Sequence, residues 1–159
     1  MQSDVCHITG LGLQAIADKF QDFIHAHKQF DNHKTEVVVY AMLKTQGQLL
    51  CELLDFDRAI KCQKSLRNFC RTWHNLQYEI WALESLALSY KLAQKHGDSA
   101  YYLHKALELC WEIGDTQSES RIYESLATAY FYEGELSKSK YFLMMHTDNN
   151  CTELTKQSQ

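Results

Sequence analysis

A chain of 159 residues is the length of one compact domain or one short repeat array, which excludes two independent catalytic domains. Hydrophobic residues make up 45% and charged residues 23%, the composition of a chain that buries a core rather than of a disordered one. A net charge of −4 with no basic run excludes an electrostatic surface for duplex DNA or an anionic membrane, and the absence of proline beside only 6 glycines points to long helices and an all-α fold.

In chain order, the first ten residues, MQSDVCHITG, have neither the basic nor the apolar region of a secretory signal. No window approaches the ~18 uncharged apolar residues of a membrane span, so a cytoplasmic protein is expected. Residues 8–30 carry Leu11, Leu13, Ile16, Phe20, Phe23 and Ile24, which predicts one amphipathic helix. It belongs to an N-terminal segment, 1–34, read as a half repeat or as a cap over the first full one. The β-branched stretch Glu36-Val37-Val38-Val39-Tyr40 is read as the buried start of a helix that continues through Ala41, Met42 and Leu43.

From residue 35 onward the chain resembles itself at a shift of forty. Glu84, Ser85, Leu86, Ala87 and Tyr90 recur as Glu124, Ser125, Leu126, Ala127 and Tyr130, and Cys70, Gln77 and Glu79 recur as Cys110, Gln117 and Glu119. Composition alone would place about one or two identities in such a stretch, so the period is real and defines stacked supersecondary units. Further back it is fainter, with Gly47 opposite Ala87, Leu50 opposite Tyr90 and Ala59 opposite Ser99. Three units are expected, at 35–77, 78–117 and 118–150.

Within a unit the spacing is helical. Leu83, Leu86, Ala87 and Tyr90 form one apolar stripe, as do Tyr123, Leu126, Ala127 and Tyr130, and Tyr102, Leu103, Ala106, Leu107 and Cys110 form the stripe of a second helix. Gly97 and Gly134 are read as breaks between the two helices of a unit and Gly114 as the break between units, with Asp98 and Asp115 as N-caps. Short connections make each unit an antiparallel hairpin. The last helix is strongly apolar through Tyr141, Phe142, Leu143, Met144 and Met145, which marks it as a candidate self-association surface. From Thr147 the chain is polar and aperiodic, and residues 151–159 are expected to fray.

These residues resemble the tetratricopeptide repeat. That family marks the first helix of its unit with a bulky residue, Leu, a small residue and Tyr, and the second with a small residue, a large apolar one and Ala. The second unit supplies Leu83, Leu86, Ala87, Tyr90, Ser99, Leu103 and Ala106, and the third Tyr123, Leu126, Ala127, Tyr130, Ser139 and Leu143. The first departs, with Gln46 and Gln63 at positions where the family has apolar groups, and Arg71 and Trp111 replace the family's proline. The long period is similar to that of adaptor proteins that orient spindles, cluster receptors or carry motor cargo, and of some ciliary assembly proteins. The resemblance spans about 35–150 and implies a right-handed α-solenoid, about seven helices counting the N-terminal one, that binds proteins rather than catalyses.

The chemistry-bearing residues agree. His25, His27 and His33 with His7 suggest a metal, but His25 and His27 are two apart and diverge by about 200° on a helix. The six cysteines form no CxxC pair and read as reduced thiols, with Cys70 and Cys110 at equivalent core positions. No phosphate-cradling glycine loop, HExxH or nucleophile elbow is present, and neither a cofactor nor a metal is expected. In the resembled fold the free face of each first helix lines a concave groove. Helix geometry places there Ala41, Lys44, Gln48 and Cys51 from the first unit, Trp81, Glu84, Leu88, Lys91 and Leu92 from the second, and Arg121, Glu124, Thr128, Phe131 and Tyr132 from the third. Trp81, Leu88, Leu92, Phe131 and Tyr132 are read as free of any core role and so as anchors for a partner. The family's clamp for acidic chaperone tails uses Lys and Asn. Only Lys44 remains of it here, beside Glu84 and Glu124, so the groove is expected to take a peptide or helix that is amphipathic and carries a basic side chain. The alternative is a structural subunit of a cytoskeletal or ciliary complex, packed through its ends and convex faces.

Overall fold

The computed structural model describes residues 33–157, which form six α-helices and no strand. They are α1 (His33–Glu52), α2 (Phe56–Thr72), α3 (Leu76–Leu92), α4 (His96–Ile113), α5 (Thr116–Tyr132) and α6 (Leu136–Gln157). The helix expected at 8–30 lies outside the described residues. The β-branched run at 36–40 is helical, inside α1. Each helix packs on the next, which builds three hairpins, α1–α2, α3–α4 and α5–α6, stacked in one all-α array.

Four of the five connections are three-residue turns, and the one between α4 and α5 is shorter by one, Gly114 and Asp115 alone. Leu54, His74, Gln94, Gly114 and Gly134 all adopt left-handed backbone, with φ of 60°, 54°, 59°, 71° and 82°, one every twenty residues. Around them the carbonyls left open at each helix end are bonded back. Leu54 N–H donates to Cys51 O and Asp55 N–H to Leu50 O, and the same pair recurs at Gln94 and Lys95 and at Gly134 and Glu135. The next helix is then capped by the side chains of Asp55, Asn75 and Asp115, which accept from the N–H of Arg58, Tyr78 and Ser118.

Asp98 does not cap. Lys95 holds the N-cap position of α4 without a side-chain bond, and Asp98 sits inside the first turn, where its charge favours the positive end of the helix dipole. Gly97 is helical too, and the break falls at Gln94 instead. A Cβ at Gly97 would meet only the carboxylate end of the exposed Glu133, on the turn that leads into α6, and that end is free to swing aside.

The core follows the stripes. Ile80, Leu83, Ala87, Leu103, Ala106, Leu107, Cys110, Ile122, Tyr123 and Leu126 join in one buried cluster across α3, α4 and α5. At the small positions the two helices of a hairpin are close enough for the Ser99 hydroxyl to donate to Ala87 O at 2.9 Å and for Ser139 to repeat this on Ala127 O at 2.8 Å. The first hairpin solves the same crossing differently. Gly47 replaces Ala87, Ala59 replaces Ser99, and the Gln63 amide fills the space, so that a Cβ on Gly47 would lie within 3 Å of it. Gln46 and Gln63 are buried despite their polarity, and Oε1 of Gln63 has no hydrogen-bond partner among the described residues.

Two departures concern α6. Helix continues to Gln157, past Thr147 where the sequence turns polar, and just before that stretch Nδ1 of His146 lies 2.9 Å from Ser120 O. Leu143, a core position in the repeat pattern, is 50% exposed, whereas its equivalent Leu103 is 3% exposed. Leu103 is covered by α5, and no described helix covers that side of α6.

Candidate functional site: the concave face

Helix α1 touches α3 and α3 touches α5, whereas α2, α4 and α6 do not meet one another. The array therefore curves with α1, α3 and α5 on the inside. Because equivalent residues are forty apart, the inner face is made of rows: Ala41–Trp81–Arg121, Lys44–Glu84–Glu124, Gln48–Leu88–Thr128, Cys51–Lys91–Phe131 and, at the turn edge, Glu52–Leu92–Tyr132.

The rows are polarised along the helices. Toward the helix starts they are charged. Arg121 Nη2 stands 3.4 Å from Oε2 of Glu84 and donates at 2.8 Å to Ser118 Oγ, while Gln77 Nε2 donates to Asp115 Oδ2 at 2.9 Å. Burial raises the Glu84 carboxyl above its ordinary value, and Arg121 and then Lys44 oppose that shift, so the three groups share one electrostatic neighbourhood. Glu124 is exposed, and no ion pair to it is formed among the described residues. Toward the helix ends large apolar side chains are exposed among the polar Gln48, Glu52, Lys91 and Thr128. Leu88, Leu92, Phe131 and Tyr132 are 47%, 42%, 59% and 60% exposed, and the Phe131 and Tyr132 rings meet edge-on at 5.6 Å.

Not every expected residue stands free. Trp81 has a core role: it is half-buried, with ring centroids 5.2 Å from Tyr78 and 6.5 Å from Tyr40, and it packs against the clusters of both the first and the second seam. Its spacing on the free face is correct, but an indole reaches across to the neighbouring hairpin. Cys51 turns toward α3, where its thiol donates to Ser89 Oγ at 3.4 Å. The Thr128 hydroxyl is taken by the Glu124 carbonyl of its own helix at 2.9 Å. Gln48 is exposed, Lys91 half-buried.

Several apolar residues beside the face escape a reading by stripes. Leu53, Leu54 and Leu136 are exposed at the turns on the same edge as Leu92 and Tyr132, and Tyr132 stacks on His96 at 5.0 Å. The twenty-residue recurrence of turns is the signal that would have found them, since it puts positions 54, 94 and 134 on one edge. His7, His25 and His27 lie outside the described residues, among which no three His, Cys, Asp or Glu side chains converge as a metal site would need. No described helix is long and apolar enough to cross a membrane.

No protein-family model and no curated protein matches the chain. Among solved structures it is similar to the TPR domain of Arabidopsis FLU, with a TM-score of 0.66 and 19% identity, over 75% of this chain and 98% of that one. At that identity the likeness carries the fold, a tetratricopeptide-repeat-like array of helical hairpins.

Proposed function

We propose that the chain is a non-catalytic binding module of the cytoplasm whose concave face holds a segment of a partner protein. The observation that carries this reading is the exposure of four large apolar side chains, Leu88, Leu92, Phe131 and Tyr132, near the ends of α3 and α5. Aromatic side chains in such a setting are enriched at binding hot spots. Beside them lie Lys44, Glu84, Lys91, Arg121 and Glu124, with Gln48, Thr128 and the half-buried Trp81 completing the surface. A segment that fits has apolar anchors toward the turn edge and charged groups, at least one of them basic for Glu124, toward the helix starts. An acidic chain end is disfavoured, because Glu84 and Glu124 stand where the carboxylate would go.

The test is a titration of two peptides against the protein, one basic and amphipathic with Leu and Phe anchors, the other acidic with a free carboxyl end. The basic peptide is expected to bind, and Phe131→Ala to weaken it about tenfold or more, the level of a hot-spot truncation. Glu84→Lys with Glu124→Lys is expected to move preference toward the acidic peptide. Tight binding of the acidic peptide alone to the unmodified protein overturns the reading. A second reading, a subunit built into a larger assembly, is favoured by a different observation, the uncovered apolar face of α6.

A further inference from the structure

Helix α6 carries Leu136, Tyr141, Leu143 and Met144 at 62%, 56%, 50% and 56% exposure. A further hairpin seated as α5 sits on α4, at an apolar seam, is a poor occupant for this face; it would need a carboxylate of its own, as Glu79 serves Arg67 at the α2–α3 seam. The position that is Ile60 in α2 and Ala100 in α4, 6% and 4% exposed, is Lys140 in α6, and the position of the buried Leu107 is Thr147. Seating a helix as α5 sits on α4 would drive the Lys140 ammonium into an apolar seam, and an unpaired buried charge is strongly unfavourable. An occupant must bring a carboxylate to Lys140.

We propose that this occupant is a second copy of the chain, its α6 antiparallel to the first about a two-fold axis at Met144. Lys140 and Asp148 lie four residues to either side of Met144, and all three are exposed and fall within one ~80° sector of the helix. Antiparallel pairing about Met144 sets Lys140 of each copy against Asp148 of the other, so the face is complementary to itself, as an isologous interface requires. Among the described residues neither Lys140 nor Asp148 forms an ion pair within its own chain. Tyr141 and Leu143 flank the seam on its two sides. The proposal rests on the reading of α6 as an interaction face and not on the concave groove. About one turn either side of the axis, from Lys140 to Asp148, covers a few hundred Å² at most, less than the ~800 Å² per partner of a stable interface, so the dimer is weak and forms with concentration.

Sedimentation equilibrium of the full chain, from ~1 to ~500 μM, reads the association directly, and the two substituted positions are exposed, so circular dichroism should be unchanged in every variant. A monomer–dimer equilibrium is expected. Lys140→Asp and Asp148→Lys should each weaken it about tenfold or more, by setting like charges opposite one another, and the double variant with both changes should return to within about threefold of the original. Restoration by the double swap is the decisive result, because damage to folding would be additive and not rescued. A monomer throughout the range, growth beyond dimer, which is the mark of head-to-tail stacking, or a swap that fails to restore would each overturn the proposal. Phe131→Ala should leave the dimer intact, which separates failure here from failure of the groove reading.

Discussion

A carboxylate that is buried against a neighbouring cation has two opposed effects acting on it, and at Glu84 burial is the larger. Its pKa is raised from 4.5, with the Arg121 hydrogen bond and charge only partly offsetting the loss of water. The folded chain therefore binds more protons than the unfolded one between 4.5 and the raised value. Stability contributed by this group is full below 4.5 and is lost as the pH rises through that window. Glu84→Gln keeps the shape and removes the charge, and the ion pair it sacrifices involves a half-exposed Arg121, a kind worth ~0–1 kcal/mol. Urea unfolding at pH 7 is expected to show Glu84→Gln no less stable than the original, with a flatter dependence on pH above 4.5. A loss of more than ~1 kcal/mol at pH 7 would mean that the Arg121 pair dominates. That Glu84 belongs to the inner face was legible from its place opposite the apolar stripe. That it would be partly buried was not, because the groups around it, Arg121, Asp115 and Lys44, come from the neighbouring helices, about thirty to forty residues away in sequence.

At the scale of the helices, the forty-residue period and the apolar stripes were enough to give hairpins, their order and most of the core. The ends of the helices were less legible, since a left-handed turn residue announces itself only when it is glycine. Three of the five turns use Leu54, His74 and Gln94, and at Gln94 a glycine three residues later drew the boundary into the helix. The first hairpin hid its crossing for a related reason. Two residues changed together, a smaller one on α1 and a longer polar one on α2, and neither alone looks like a repeat. That exchange makes a testable coupling. Gly47→Ala should destabilise by ~1–3 kcal/mol, as overpacking does, because its Cβ would collide with the Gln63 amide. Gln63→Leu should stabilise by about 1 kcal/mol, by removing the unpartnered Oε1. In the Gln63→Leu background Gly47→Ala should become nearly neutral, since Ala87 and Leu103 already coexist at that crossing in the second hairpin. Additive effects in the double variant would show that the two side chains do not share the space.

Over the whole molecule the two seams between hairpins differ in kind. The seam from α4 to α5 is apolar, through Leu103, Leu107, Cys110, Ile122 and Leu126, whereas the seam from α2 to α3 includes Arg67 and Arg71, which meet Glu79 at 3.5 and 3.8 Å, beside Leu66, Cys70 and Ala82. In a linear array stability is close to a sum of units and seams, so the α1–α2 hairpin should open first. Amide hydrogen exchange is expected to run at least ~10-fold faster in the slowest amides of α1 and α2 than in those of α3 to α5, a difference of ~1.4 kcal/mol or more in opening free energy. Equal protection throughout would instead mean one cooperative block. The turns have a consequence of another sort. Left-handed residues at 54, 74, 94, 114 and 134 give the chain a fixed stride, so its length is quantised. One residue added inside a helix rotates everything beyond it by about 100° and turns the buried stripe out to water. A cut from residue 75 to residue 114 would instead join His74 to Asp115, an N-cap of the same kind as the Asn75 it replaces, and leave every later residue in phase. Gene rearrangement can therefore shorten or lengthen such a protein by whole units with little structural cost, while the smallest slip of the reading register within a unit destroys it.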